Sequence, residues 1–261
     1  MIMLATGLIT GLIAGTAGGI LSAVCGLGGG LVYVPLFMFS LSFSGNEGSV
    51  SVFASMLAIM LTSAWSWRAH QRLGHVDRES LRHLMPGLAL GASLGLWSTL
   101  HLPAPLILAL LSIMNAWVAQ DYQCAQPIRA RRQSLVLLSF PIGACSGLLG
   151  IGGGTLLVPL LRRQLTLREA VGTTTACSLL MSLLAIGLNL GLEANWSRLL
   201  AAHKAWLIGC LAGFLGTLPF ATRWAAALHQ RVPEGTLRTI IARGFKWYAG
   251  VLMLAALLMS I

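Results

Sequence analysis

The chain alternates long apolar stretches with short polar ones. Apolar segments run over residues 3–24, 31–44, 49–67, 84–101, 104–120, 134–149, 155–161, 169–191, 205–222 and 245–261. Several carry no charge over 17–22 residues, the length a helix needs to cross roughly 30 Å of hydrocarbon. They are apolar throughout and rich in Leu, Ala and Gly, without the alternation of a membrane β-strand. Helix is therefore predicted for each. Between them lie a polar turn (44–48), a charged loop (68–83), a basic loop (121–133) and loops over 162–168, 192–204 and 223–243.

Composition turns this pattern into a class. The chain is 56% hydrophobic and 9% charged, where soluble domains carry about 25% charged residues. A soluble fold of this size cannot hide that much apolar surface, so the chain reads as an all-α integral membrane protein. The net charge of +10 does not imply a nucleic-acid partner, because the charges sit in short loops between apolar segments. There Lys and Arg set topology. With the N-terminus outside, 15 of them face inward and only Arg198 and Lys204 face outward. Both termini are thus expected on the periplasmic side of a bacterial-type cytoplasmic membrane. Met1-Ile2-Met3 lacks the basic start of a cleaved signal peptide, so the first segment is expected to be retained. The five cysteines form no C-x-x-C pair and read as packing residues. The histidines between 70 and 83 are irregularly spaced and read as solvated. No metal and no cofactor are expected.

A glycine run occurs twice. Residues 25–36 read CGLGGGLVYVPL, and residues 149–160 read LGIGGGTLLVPL. At an offset of 124 residues, Gly26, Gly28, Gly29, Gly30, Val34 and Pro35 recur as Gly150, Gly152, Gly153, Gly154, Val158 and Pro159; Gly48 recurs as Gly172. Such self-similarity marks an internal duplication, with residues 1–124 as the first repeat and 125–261 as the second. Each repeat holds five segments. An odd number makes the second copy enter from the opposite side, so an inverted repeat is expected.

Gly-x-Gly-Gly-Gly is a costly place for helix, at roughly 1 kcal/mol per Gly relative to Ala. Irregular backbone inside a membrane persists only when buried in protein or facing a water-filled cavity. The runs are therefore expected to break a helix or make it re-enter. A glycine run that opens a short helix aims amide N–H groups and the positive dipole end at one spot, which is an anion site. Gly26, Gly28, Gly29, Gly30, Gly150, Gly152, Gly153 and Gly154 are the candidate substrate-binding backbone. Ser51, Thr173, Thr174, Thr175 and Ser178 are candidate hydroxyl donors to an oxyanion, with helix capping as the alternative for the residues that begin the eighth segment. Gly11 and Gly15, Gly91 and Gly95, and Gly187 and Gly191 have the four-residue spacing of helix contacts. Neither a dinucleotide fingerprint in context nor a phosphate-binding G-x-x-x-x-G-K-[ST] is present.

The two G-x-G-G-G-x-x-x-x-P stretches (Gly26–Pro35 and Gly150–Pro159), together with Glu169-Ala170-Val171-Gly172-Thr173-Thr174, resemble the TauE/SafE family of sulfite exporters, also called the 4-toluene sulfonate uptake permease family. The second-repeat segment is similar to that family's A-x-G-T-S signature; the first repeat departs from it, reading Gly48-Ser49-Val50-Ser51-Val52. The resemblance covers nearly the whole chain. It implies a multi-pass transporter of small sulfur-containing anions such as sulfite, sulfoacetate or other organosulfonates, coupled to a proton or other ion gradient.

Remaining polar residues read more plainly. Asn115 and Asn189 are expected to face the bundle interior and bond between helices. Glu47, Glu169, His101 and Asp121 are expected at interfaces. Ser22, Cys25, Cys145 and Ser146, beside the runs, are expected to pack. The tryptophans cluster toward segment ends as an aromatic belt. The sequence thus supports a secondary transporter of a small anion working by alternating access in the lipid bilayer, with an oligomer allowed. The alternatives are a passive anion channel of the same architecture and an intramembrane enzyme or assembly subunit. An enzyme requires an ionisable pair or metal cluster in the membrane core, which the sequence does not show.

Overall fold

A computed structural model describes residues 2–25, 29–41, 48–99, 102–123, 132–192, 196–231 and 234–260. Gly26, Gly28, Glu47, His101 and Cys124 lie outside the described residues, as do the side chains of Cys25 and Trp196. The described residues form α1 (Ile2–Cys25), α2 (Gly30–Leu41), α3 (Gly48–Arg72), α4 (Arg78–Thr99), α5 (Ala104–Gln123), α6 (Arg132–Leu149), α7 (Gly154–Leu161), α8 (Leu167–Leu192), α9 (Trp196–Arg231) and α10 (Glu234–Ser260). Among them there is no strand. Ile2–Ser22, Val50–Arg72, Arg168–Gly191 and Leu200–Ala225 are long and apolar enough to cross a membrane; Gly30–Leu41, Pro105–Asp121 and Val136–Leu149 are shorter apolar helices.

The expected charged loops shrink. Arg68, His70 and Arg72 extend α3, and Arg78, Glu79, Arg82 and His83 open α4, so only 73–77 is non-helical between them. Likewise α10 takes up residues 234–243 of the expected loops, and α9 takes up 196–204 and 223–231. A helix of this length spans about 54 Å at 1.5 Å per residue, well beyond the hydrocarbon. Its charged ends can remain helical because they leave the apolar layer with their backbone bonds intact.

Helix α1 packs along α9, α4 along α6, α5 along α10 and α3 along α8. Glycine makes the first two contacts close. A Cβ on Gly7 or Gly11 would run into the Trp206 or Cys210 carbonyl of α9, and one on Gly209 or Gly213 into the Leu4 or Leu8 carbonyl of α1. The arrangement recurs where Gly91 and Gly95 of α4 meet Phe140 and Ala144, and Gly143 and Gly147 of α6 meet Leu88 and Ala92. Lipid tails are as apolar as leucine, so such backbone approach replaces the hydrophobic drive of a soluble core. The packing expected of Gly11, Gly15, Gly91 and Gly95 is seen. That expected of Gly187 and Gly191 is not: among the described residues nothing lies within 4 Å of a Cβ at either.

Large apolar side chains face outward. Leu137 is 79% exposed, Phe220 73% and Trp247 74%, as on a surface solvated by lipid. Trp206 breaks the expected belt. It is buried, its Nε1–H donates to Ser40 Oγ at 2.9 Å, and its ring meets Phe37 edge-on.

Candidate anion-binding site

Both glycine runs end in the same backbone geometry. Gly29 and Gly153 each have φ of 77°, a left-handed conformation that suits glycine because it lacks a Cβ. The Gly29 carbonyl accepts from the Val32 and Tyr33 amides, and the Gly153 carbonyl accepts from Leu156 and Leu157. Each glycine thus starts a short helix, α2 or α7. Proline is the sixth residue of each. The missing amide of Pro35 releases the Leu31 carbonyl four residues back, and Tyr248 Oη donates to that carbonyl at 3.2 Å.

The two runs meet. A Cβ on Gly30 would lie 2.7 Å from Cα and O of Ile151, so the start of α2 rests on the backbone of the second run. The run is further positioned by α3 and α8. Ser55 Oγ donates to the Gly150 carbonyl at 3.0 Å, Ile59 lies against Gly152, and Met181 Sδ lies against Gly153. Gly150 and Gly152 also have positive φ. Every residue from Gly150 to Arg162 is buried. Among the described residues, no bond is seen from the amides of Gly152, Gly153, Gly154 or Thr155. These are the orphan donors of a helix start, enclosed away from solvent.

The candidate hydroxyls divide. Thr173 Oγ1 accepts from the Asp77 amide at 2.9 Å, and Thr175 Oγ1 donates to the Gly172 carbonyl at 2.8 Å. Those two hydroxyls are engaged. Ser51, Thr174 and Ser178 are buried and, among the described residues, have no hydrogen-bond partner. Ser51 lies one turn before Ser55 on α3, and Ser178 lies one turn before Met181 on α8, which puts both on the faces that reach the second run. Thr155, Ser22 and Ser146 also carry buried hydroxyls without a partner among the described residues. Thr155 is not among the hydroxyls expected from sequence, although its place directly after Gly152-Gly153-Gly154 is a signal, and Ser22 and Ser146 are expected to pack.

Several single-residue expectations change. Thr173, Thr174 and Thr175 do not begin α8, which starts at Leu167. The cap is Thr166: its Oγ1 and amide donate to Glu169 Oε2, and its own Oγ1 accepts from the Glu169 amide, a capping box. Glu169 is therefore committed to the helix start. Asn115 Nδ2 donates to the Leu111 carbonyl of its own helix, not across helices. His70 and His75 are not simply solvated: their rings lie 5.7 Å apart and their Nδ1 atoms are buried. A small apolar cavity lies elsewhere, between α2, α3 and α9, lined in part by Phe37, Ala58 and Phe214. Among the described residues no group of three or more His, Cys, Asp or Glu is placed to hold a metal.

This combination of paired glycine breaks, short helices and an all-helical apolar fold agrees with the sequence family model described as sulfite exporter TauE/SafE, which matches residues 11–259. The chain belongs to the TauE/SafE family. It is a membrane-embedded transporter of that type. Curated relatives agree along their length. A probable membrane transporter protein of Haemophilus influenzae is 25% identical over 243 residues, covering 87% of this chain and 90% of the relative. The probable membrane transporter protein YunE of Bacillus subtilis is 26% identical, covering 89% of this chain and 91% of the relative. A probable membrane transporter protein of Xylella fastidiosa is 27% identical, covering 82% and 85%. No solved structure matches this chain.

Proposed function

We propose that the chain is a secondary transporter for a small sulfur oxyanion or organosulfonate, such as sulfite or sulfoacetate, in the cytoplasmic membrane. The observation that carries this reading is the enclosed start of α7. There, four amide groups without a partner and the buried Thr155 hydroxyl surround a helix N-terminus. Fixed dipoles hold an oxyanion without a buried cation at that point. Gly30, at the start of α2, lies against Ile151 of the second run.

Transport proceeds by alternating access between two inverted repeats, residues 1–124 and 125–261. The helix pairing supports this. Exchanging α1 with α6, α2 with α7, α3 with α8 and α4 with α9 turns the α1–α9 contact into α6–α4, α1–α2 into α6–α7, and α2–α3 into α7–α8, all of which occur. The α3–α8 pair maps onto itself. An ion gradient drives the cycle, and both termini lie outside.

The test is uptake of labelled sulfite, sulfoacetate and taurine into proteoliposomes. At least one is expected to show saturable uptake that stops when the proton or sodium gradient is collapsed. Gly29→Leu and Gly153→Leu are expected to abolish it; normal uptake by both would sink the glycine-site reading. Flux that neither saturates nor responds to a gradient would favour a channel.

A further inference from the structure

The second short helix ends on a charge. Arg162 follows α7, its amide donating to the Val158 carbonyl at 3.0 Å, and its side chain is 4% exposed. Its guanidinium lies 3.7 Å from Asp121 Oδ2, near the end of α5, where the carboxylate side chain is 13% exposed. From sequence, Arg162 is expected in the loop over 162–168 and Asp121 at an interface. The pair joins α5 of the first repeat to α7 of the second. An eight-residue helix is about 12 Å long, so the pair sits one short helix away from the glycine run.

The other repeat has no such pair. The counterpart of Arg162 at the 124-residue offset is Met38, buried in an apolar cluster with Leu252 and Ala256. The two positions related by the 124-residue offset therefore carry different chemistry.

We propose that Arg162 and Asp121 form the inner gate of the transport path, and that the outer end is sealed by the apolar packing around Met38. This rests on the proposed inverted arrangement, which places both charges on the cytoplasmic side. A buried ion pair loses hydration that its mutual attraction recovers only in part. Separating α5 from α7 lets water reach both charges. The pair is thus stable closed and paired, or open and hydrated, but not between, which is the behaviour of a two-state latch. At the outer end, opening exposes apolar surface with no hydrated charge to offset it.

Two opposite substitutions follow. Asp121→Asn removes the carboxylate charge from the buried pair, which weakens the closed state and favours the one open to the inside. The double variant D121L/R162M replaces the pair with apolar groups, which seals it. The reporter is Thr155→Cys in the full chain with its five native cysteines replaced by alanine, labelled by a membrane-impermeant thiol reagent applied to either face of oriented vesicles. Asp121→Asn is expected to raise the labelling rate from the inner face about tenfold, a size typical of coupling between two states, and to leave the outer face unchanged. The double variant is expected to fall below the parent from the inner face. Inner-face labelling of Asp121→Asn equal to the parent, or an equal rise from both faces, would overturn the gate. The swapped pair D121R/R162D, purified as a single species in detergent, controls for folding and is expected to label like the parent; labelling like Asp121→Asn would also count against the gate. Protection of Thr155→Cys by sulfoacetate, whose sulfonate does not react with the thiol reagent, reads the anion site separately. A gate effect without protection would remove the anion-site reading and leave the gate standing.

Discussion

Thr155, Thr174 and Ser178 are buried hydroxyls without a partner among the described residues, and this makes their substitution informative. Removing a hydroxyl that is already unpaired loses no hydrogen bond in the resting protein and can even stabilise it. Removing a donor to a bound anion costs about 1.5–3 kcal/mol, or about tenfold or more in affinity. Thr155→Val and Ser178→Ala are therefore expected to keep or raise the melting temperature while raising the KM for the transported anion about tenfold or more. A fall in melting temperature with unchanged KM would show packing alone. Gly153→Ala separates backbone from space. At φ of 77° a Cβ costs roughly 1–2 kcal/mol and also meets Met181, so transport is expected to fall while Gly187→Ala, with open space around it, transports normally. The hydroxyls were visible as residue types in the sequence. Which of them were engaged was not, because Thr173 is bonded by Asp77 from a loop 96 residues away in the chain.

At the level of helices, the glycines sort into two kinds that spacing alone does not distinguish. Gly91 and Gly187 each precede another glycine by four residues, yet only Gly91 touches a neighbouring backbone. Gly91→Leu must push α4 from α6, and overpacking of this kind typically costs about 1–3 kcal/mol. Gly187→Leu places its side chain in open space and replaces a poor helix former. Melting of the purified protein in detergent is expected to show a clear loss for the first and little or none for the second. The start of α8 gives a smaller effect. Thr166→Ala removes the capping box with Glu169 and is expected to cost about 1 kcal/mol, with transport retained. Among the described residues most helices were legible because their apolar runs are long, and the short α2 and α7 because each follows a glycine run. Their ends were not: charges mark where a chain leaves lipid, whereas a helix continues while its backbone bonds are satisfied.

For the whole molecule, the decisive prediction is orientation. Under the proposed inverted repeat, Arg163→Cys is labelled from the inside and Arg198→Cys from the outside by an impermeant reagent. Labelling of both from one face would reject the proposed topology. The inner gate belongs to the same scale. Its partners come from different halves, and opening it separates elements rather than rotating one side chain.

What the amino-acid order determined by itself was the solvent and the symmetry of composition. Apolar runs with few charges require lipid, and the repeated glycine runs mark where helix must break. Both are local properties, written in neighbouring residues. The tertiary structure decided which groups meet: Gly30 on Ile151, Ser55 on Gly150, and Arg162 with Asp121. Contacts between distant segments depend on how the helices cross, and that is set by close packing of surfaces the linear pattern does not order.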